Sequence, residues 1–198
     1  MKASILSVLI IILSILKSFG QEKIWTKQSK ISEVITFEKK INSKAEFLPQ
    51  GVFLTKEYYP LASIHVVTDP VIIKRKPTAY LPVYTHYFYT PGDSVLRFVL
   101  YDWEKGLYEN SLDEQKIWKE ELDKLEAYKK EYVRIKRILL VEFGLAKSAD
   151  ESPKIIDSES GNYLDQTTLW ENDNIHAELN LIFSETTHRV RLTLYWKN

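Results

Sequence analysis

From residue 111 to 144 the apolar positions recur at three- and four-residue steps: Trp118, Leu122, Leu125, Tyr128, Tyr132, Ile135 and Leu139. Such spacing lays one apolar stripe along a helix. Ser111 with Glu114 reads as a capping box, each side chain satisfying a backbone donor beside the other. Glu120 with Lys124 and Glu126 with Lys130 support the wet face at i, i+4. Gly144 is placed to end the helix. At 1.5 Å per residue the element would be about 50 Å long. That is long for a chain of this size and predicts a bend or an early frayed turn. Ile138 to Val141 is apolar on every side, which predicts deep burial of the last turns.

A shorter helical spacing, Ile31, Val34, Ile35 and Ile41, predicts a helix over 30–43, although the run from Val34 to Phe37 also suits a strand. Pro49, Gly51 and Pro60 break the next stretch into loop and short extended pieces. Period-two and continuous apolar runs then predict strands over 64–68, 71–74, 83–90 and 95–103. Pro91, Gly92, Asp93 and Ser94 form the link of a first hairpin. Residues 146–166 are polar and read as a long loop. Three more strands are predicted over 167–171, 177–184 and 189–196, the last two joined as a second hairpin by 185–188.

The two hairpins align without gaps at an offset of 94 residues. Tyr89 falls on Phe183, and Arg97, Phe98, Val99, Leu100 and Tyr101 fall on Arg191, Leu192, Thr193, Leu194 and Tyr195. Each hairpin has further strand candidates and a helix candidate upstream. The fold class predicted is α+β: antiparallel β-meanders packed on one long α-helix, with tandem duplication of a helix plus three-strand unit. The repeats would be 21–105 and 106–198, inside one domain spanning 21–198. The competing explanation is that any two strands rich in Arg, Leu and Tyr look alike. The order of elements, with Phe143 and Gly144 ending a helix before a strand that contains Trp170, resembles the β-lactamase inhibitor proteins and the small lipoproteins of outer-membrane barrel assembly. The resemblance is architectural and implies no binding residue.

Residues 1–20 have the three parts of a cleaved secretory signal peptide. Lys2 is the positive start, 5–16 is an apolar run of Ile, Leu and Val broken by Ser7 and Ser14, and Ser18 and Gly20 are small residues before the cut. The run ends at Lys17, short of the roughly 20 apolar residues a permanent span needs. The mature chain is expected to begin at Gln21, with no stable membrane span after cleavage.

Composition narrows the function classes. Without Lys2 and Lys17, 25 basic residues face 27 acidic ones, a net charge near −2. That argues against nucleic acid, which rewards a strongly basic surface. The chain has no Cys, so disulfides, thiolate zinc sites and Cys nucleophiles are excluded. Packing must stabilise the fold, and 12 Tyr, 8 Phe and 5 Trp supply large areas to bury. Elbow, zincin, phosphate-loop and dinucleotide motifs are absent. The four His, at 65, 86, 176 and 188, show no ligand spacing, though folding could bring His65 to Asp69 or His86 to Asp102. The acidic stretch 157–165 lacks the order of a calcium loop. No metal and no cofactor is expected.

Alternation separates the hairpins. The second divides cleanly: Ala177, Leu179, Leu181 and Phe183 face with Val190, Leu192, Leu194 and Trp196, and polar residues lie opposite. The first groups Val83, Tyr87 and Tyr89 with Leu96, Phe98 and Leu100. Opposite lie Tyr84, His86 and Phe88 with Arg97, Val99, Tyr101 and Trp103. Both faces are then aromatic. Either both are covered, or Tyr84, His86, Phe88, Arg97, Tyr101 and Trp103 form an exposed patch that binds a partner, as Tyr, Trp and Arg do at hot spots. The function expected is an exported, non-catalytic envelope protein that binds another macromolecule, a protein or a glycan, in the periplasm or outside the cell. The alternatives are a small periplasmic hydrolase acting on glycans or peptides, and a structural subunit of an envelope complex.

Overall fold

The computed structural model describes residues 22–41, 46–48, 54–56, 58–158 and 161–198, so the export segment lies outside the described residues. In chain order the elements are α1 (Ile31–Ile41), β1 (Glu46–Leu48), a 3-10 turn (Pro60–Ser63), β2 (Val71–Arg75), β3 (Val83–Tyr89), β4 (Leu96–Glu104), α2 (Ser111–Glu121), α3 (Leu125–Phe143), β5 (Ser148–Ala149), β6 (Lys154–Ile156), β7 (Tyr163–Glu171), β8 (Ile175–Phe183) and β9 (His188–Trp196). The fold is mixed α and β. One antiparallel sheet runs in the order β1-β2-β3-β4-β9-β8-β7-β5, with β6 pairing β7 beside β5. Two three-strand meanders, β2-β3-β4 and β7-β8-β9, meet at the central β4–β9 pair.

One face of the sheet packs on α1 and α3. Tyr128, Tyr132, Ile135 and Leu139 of α3 are buried on it at a three- and four-residue period. Each such side chain contributes roughly 1.5–3 kcal/mol by leaving water. The second hairpin presents the eight residues its alternation predicted to this core. The other face is covered over β3 and β4 by the segment around the 3-10 turn. There Tyr59 packs on Phe88, Phe98, Leu100 and Tyr195, supported by Leu54, Leu61, Ala62 and Val67. The first hairpin is therefore covered on both sides.

Several expectations are corrected. The first hairpin's faces are regrouped: Val83, Thr85 and Tyr87 pair with Trp103, Tyr101 and Val99 and face the helices, while Tyr84, His86 and Phe88 pair with Asp102, Leu100 and Phe98 and face away. The cause is a bulge between Phe88 and Tyr89 together with a six-residue link from Thr90 to Val95. One residue of slip moves every side chain to the other face. The second hairpin has a four-residue link, so the two do not superpose without a gap. Ser94 takes a φ of 59°, stabilised by its amide donating to Thr90 O at 2.9 Å.

The long helix is two helices. It breaks across Leu122 to Lys124, and Lys124 sits at φ −100°, ψ 12°. The cap is one residue earlier than expected: Asn110 Oδ1 accepts from the Leu112 and Asp113 amides at 3.2 and 3.1 Å. At this end the predicted stripe is only partly covered: Trp118 of α2 is half-buried, and Leu122, in the break, is exposed. The end of α3 is not deeply buried either; Val141 is exposed and only Leu139 is fully covered. The predicted strand 64–68 is not one: after the 3-10 turn, Ile64 and Val66 point into solvent. Short strands β5 and β6 lie within the predicted loop 146–166. Trp170 Nε1 donates to Gly144 O at 3.0 Å, tying the end of α3 to β7.

Candidate functional site

Alternate residues of β3, β4 and β9 converge on the sheet face turned away from the helices. His86 and Phe88, then Phe98, Leu100 and Asp102, then Arg191 share that face through the β3–β4 and β4–β9 registers. Leu54 and Tyr58 approach from before the 3-10 turn. Leu107 and Tyr108 approach from the turn after β4. Together they enclose a pocket of about 250 Å3. Its walls are apolar and aromatic, and its polar groups are few, which is the usual make-up of a recognition site.

The turn that carries Leu107 and Tyr108 is conformationally demanding. Gly106 has φ 83° and Tyr108 φ 67°, and the Glu109 amide closes the turn on Gly106 O at 3.0 Å. A Cβ on Gly106 would meet Ile117 Cδ1 at 3.2 Å. Gly106→Ala therefore combines left-handed backbone with a steric conflict, and is expected to lower stability by more than about 1 kcal/mol. A urea titration checks this; an unchanged midpoint would show that the turn relaxes freely.

The polar floor is a charge network. Arg191 Nε and Nη2 donate to Asp102 Oδ1 and Oδ2 at 2.6 and 3.0 Å, a bidentate pair. Burial would raise the Asp102 carboxyl, but Arg191 and Arg189 beside it hold it below its ordinary value. His86 Nε2 lies 3.9 Å from Asp102 Oδ2 and 3.4 Å from the Tyr108 hydroxyl. Burial pushes His86 down to about 4, against the pull of Asp102 and helped by Arg191 and Arg189. The imidazole is thus neutral at pH 7. Its Nδ1 is buried and has no hydrogen-bond partner among the described residues. Two residues along β4 from Asp102, Glu104 is pushed up to about 7 by burial, against the opposing charge of Arg189. Arg189 Nε is 3.1 Å from Glu104 Oε2 yet poorly aligned with it, and Nη2 reaches Oε1 only at 3.5 Å. Burial outweighs this ion pair.

These two groups act on stability with opposite signs. His86 is depressed in the fold, so its contribution is lost as pH falls from about 6.5 toward 4. Glu104 is raised, so its folded form favours the proton and stability falls as pH rises from about 4.5 to 7. The two slopes oppose each other between pH 4.5 and 6.5. Glu104→Gln is expected to expose a stability that rises with pH over this range, and His86→Gln one that falls. Urea midpoints at pH 4.5, 5.5 and 6.5 test this; identical pH slopes in both variants would contradict it.

The residues expected to form one exposed patch are divided by the fold. Tyr101 and Trp103 are fully buried on the helix side, where Tyr101 Oη accepts from the Trp25 amide at 2.7 Å and Trp103 Nε1 donates to Glu22 at 3.3 Å. Tyr84, His86 and Phe88 lie on the opposite face and are buried as well. Arg97 braces the hairpin link, pairing with Asp93 Oδ2 at 2.8 Å. The patch as a contiguous exposed surface is not present, because the bulge and the covering segment bury its parts separately. His86 and Phe88 do line the pocket. Asp102, named from the sequence as a residue that folding could bring to His86, lies 3.9 Å from it, and the remaining members were not anticipated as site residues. Asp102, a charge inside an otherwise apolar strand, was the available signal, and Arg191 is the arginine that pairs with it.

No family model, curated protein or solved structure matches this chain. The site must therefore be read from its own chemistry. Among the described residues no group of three or more His, Cys, Asp or Glu is arranged to hold a metal ion. Among them no helix is long and apolar enough to cross a membrane. A second polar cluster, Glu22, Glu38, Arg75, Glu131 and Arg134, lies between the sheet and the helices. Its carboxylates are closed off from solvent and occupied by internal partners, so it serves the fold.

Proposed function

We propose that this is an exported, non-catalytic binding protein of the cell envelope, whose pocket above His86 receives an anchoring side chain from a macromolecular partner. The observation that carries the reading is the pocket's size and wall chemistry. At about 250 Å3 it falls below the usual range for small-molecule and cofactor sites, about 300–1,000 Å3. It suits a single large side chain. Tyr58, one of its lining residues, is 51% exposed, and farther along the covering segment Ile64 and Val66 are 68% and 76% exposed. Exposed apolar groups beside a pocket are a common mark of a protein interface. Export rests on the 1–20 segment, with the periplasm or the medium as destination. The two meanders, each closing on the central β4–β9 pair, also support descent from a duplicated helix plus three-strand unit.

The second reading is a small hydrolase, favoured by Glu104 being pushed up to about 7. Against it, Glu104 is buried and is not among the residues that line the pocket, and Asp102 accepts from Nε and Nη2 of Arg191. A histidine pushed down to about 4 is a weak base at neutral pH.

The test compares captures from envelope fractions by the unaltered protein and by Tyr58→Ala. Tyr58 is exposed, so the variant is expected to keep its thermal midpoint. A partner recovered at least five-fold less well with Tyr58→Ala supports the reading. An identical set of partners with both proteins overturns it. Sequencing the N-terminus of the envelope form tests export: a chain starting at Gln21 is expected, and a chain retaining Met1 would refute cleavage.

A further inference from the structure

We infer that the outward side of α3 docks on a membrane surface carrying anionic phospholipid, with its cations over the headgroups and its exposed aliphatic side chains in the interface. The inference concerns the helix side of the sheet, opposite the pocket, and stands or falls apart from the pocket reading.

It begins from the period of α3. Tyr128, Tyr132, Ile135 and Leu139 turn one side of the helix to the core. At 3.6 residues per turn the opposite side carries Lys130, Val133, Arg137 and Val141, and all four are exposed. Lys136 flanks them. The whole chain balances 27 basic residues with 27 acidic ones, but this side does not. Glu126 is the carboxylate that α3 turns outward, and Lys129 Nζ meets it at 2.7 Å. Glu131 is buried and paired with Arg134, and Glu142, on another side, accepts from the Thr26 hydroxyl at 2.6 Å. Lys130 and Arg137 have no ion pair or hydrogen bond among the described residues. Lys136 lies in the field of Asp150, whose carboxylate already pairs with Lys154. Three cations are therefore in surplus within two turns.

The surface between these side chains has room for an anionic group. Glu126, Lys129, Lys130, Val133, Arg134 and Arg137 border a hollow of about 430 Å3, open to solvent. Four of the six are cationic and one is anionic. Beyond it the side becomes apolar: Val141 is 82% exposed, and Leu145, just past the helix cap, is 93% exposed.

The pairing of these two features selects the partner. Nucleic acid would use the cations and leave the aliphatic groups in water. An acidic polypeptide would hold the cations in fixed pairs, and lysine is depleted from such interfaces, since ordering its long side chain costs entropy. A leaflet asks for no fixed geometry, because its anions are many and mobile. Each cation near such a surface strengthens binding about five-fold, and exposed aliphatic groups add to it by entering the interface. The core side of α3 stays packed on the sheet, so docking is peripheral. The pocket lies on the other face of the sheet and is left uncovered.

The experiment measures co-sedimentation with vesicles of phosphatidylcholine, alone or with about one-third phosphatidylglycerol, at about 0.1 and 0.5 M salt. It uses the protein from the envelope fraction and variants with the same N-terminus, so any contribution of residues 1–20 cancels. Binding to the anionic vesicles is expected, with release at the higher salt. Lys130→Gln with Arg137→Gln is expected to bind about 25-fold more weakly, five-fold for each charge removed. Lys130→Arg with Arg137→Lys should bind as the unaltered protein does. Val141→Ser with Leu145→Ser should weaken binding about five-fold. All six positions tested in these pairs are exposed, and the salt series on unaltered protein decides the electrostatic part without any variant. A charge-removed variant within two-fold of the unaltered protein would overturn the inference, as would equal binding to both kinds of vesicle. Binding to polyglutamate without binding to anionic vesicles would replace the lipid surface by an acidic polypeptide.

Discussion

Arg75→Met is expected to lower the thermal midpoint by roughly 10 °C. Arg75 lies on β2 and is 4% exposed. Its Nε donates to Glu38 Oε2 at 2.9 Å, its Nη2 to the other oxygen of Glu38, and its Nη1 to Lys23 O at 2.6 Å. The Tyr87 hydroxyl donates to the same Glu38, and the guanidinium lies 5.3 Å from the Tyr101 ring centroid. Burial alone would pull the guanidinium down, but Tyr87, Tyr101 and Glu38 hold it well above its ordinary value. Taking Arg75 away leaves the fully buried Glu38 with Tyr87 as its remaining partner. Breaking a buried pair in this way costs about 3–5 kcal/mol. For a protein of this length each kcal/mol is worth about 2–4 °C. The pair itself is not expected to be worth so much, because its desolvation offsets its attraction. Arg75→Met with Glu38→Met should therefore recover at least half of the loss. Melting curves of the two variants decide it. A single variant within 2 °C of the unaltered protein, or a double variant worse than either single one, would refute the account.

Trp103→Ala is the second large effect, at about 3–5 kcal/mol. The indole is fully buried at the centre of the sheet's helix side, stacked on Tyr101 with centroids 5.7 Å apart and planes at 19°. The surroundings are strands fixed by ladder bonds on both sides, so the cavity cannot collapse cheaply. Adding Tyr101→Ala removes the acceptor of the Trp25 amide and the ring under Arg75. The two residues touch, so their effects will not add simply. Their combined loss is a large share of the 5–15 kcal/mol that holds a typical domain together. The double variant is expected to lose its near-ultraviolet dichroism and to accumulate poorly. A folded double variant with native dichroism would mean that these rings matter less to the core than their burial implies.

Local patterns were legible wherever one face of an element is dry and the other wet. The β8–β9 hairpin alternates cleanly, and its inward set follows from that alone, although the link runs over 184–187 and not 185–188. The stripe of Tyr128, Tyr132, Ile135 and Leu139 likewise marks α3 and the side it buries. The pattern was ambiguous where both faces are apolar. Across β3 and β4 every register looks equally good, so the bulge after Phe88 decided which residues share a side. The stripe that continues through Trp118 and Leu122 suggested one helix, but it is only partly covered there, and Glu121 is drawn instead to Tyr80, Lys105 and Tyr128.

The candidate site was legible only in part. His86 and Phe88 stood out as aromatic residues in a strand. Tyr58, Tyr108 and Arg191 lie 28 residues before, 22 after and 105 after His86, and no local spacing links them. The sequence by itself determined the α+β class, the helical and strand periods, the absence of thiol chemistry and the expectation of export. The tertiary structure alone decided the side of the sheet on which each aromatic ring lies, and the meeting of His86, Asp102 and Arg191 under a cover of Tyr58 and Tyr108. The reason is physical. Periodicity records how a residue relates to its own element. Register, bulges and covering segments are set by long-range packing, which a local pattern does not encode.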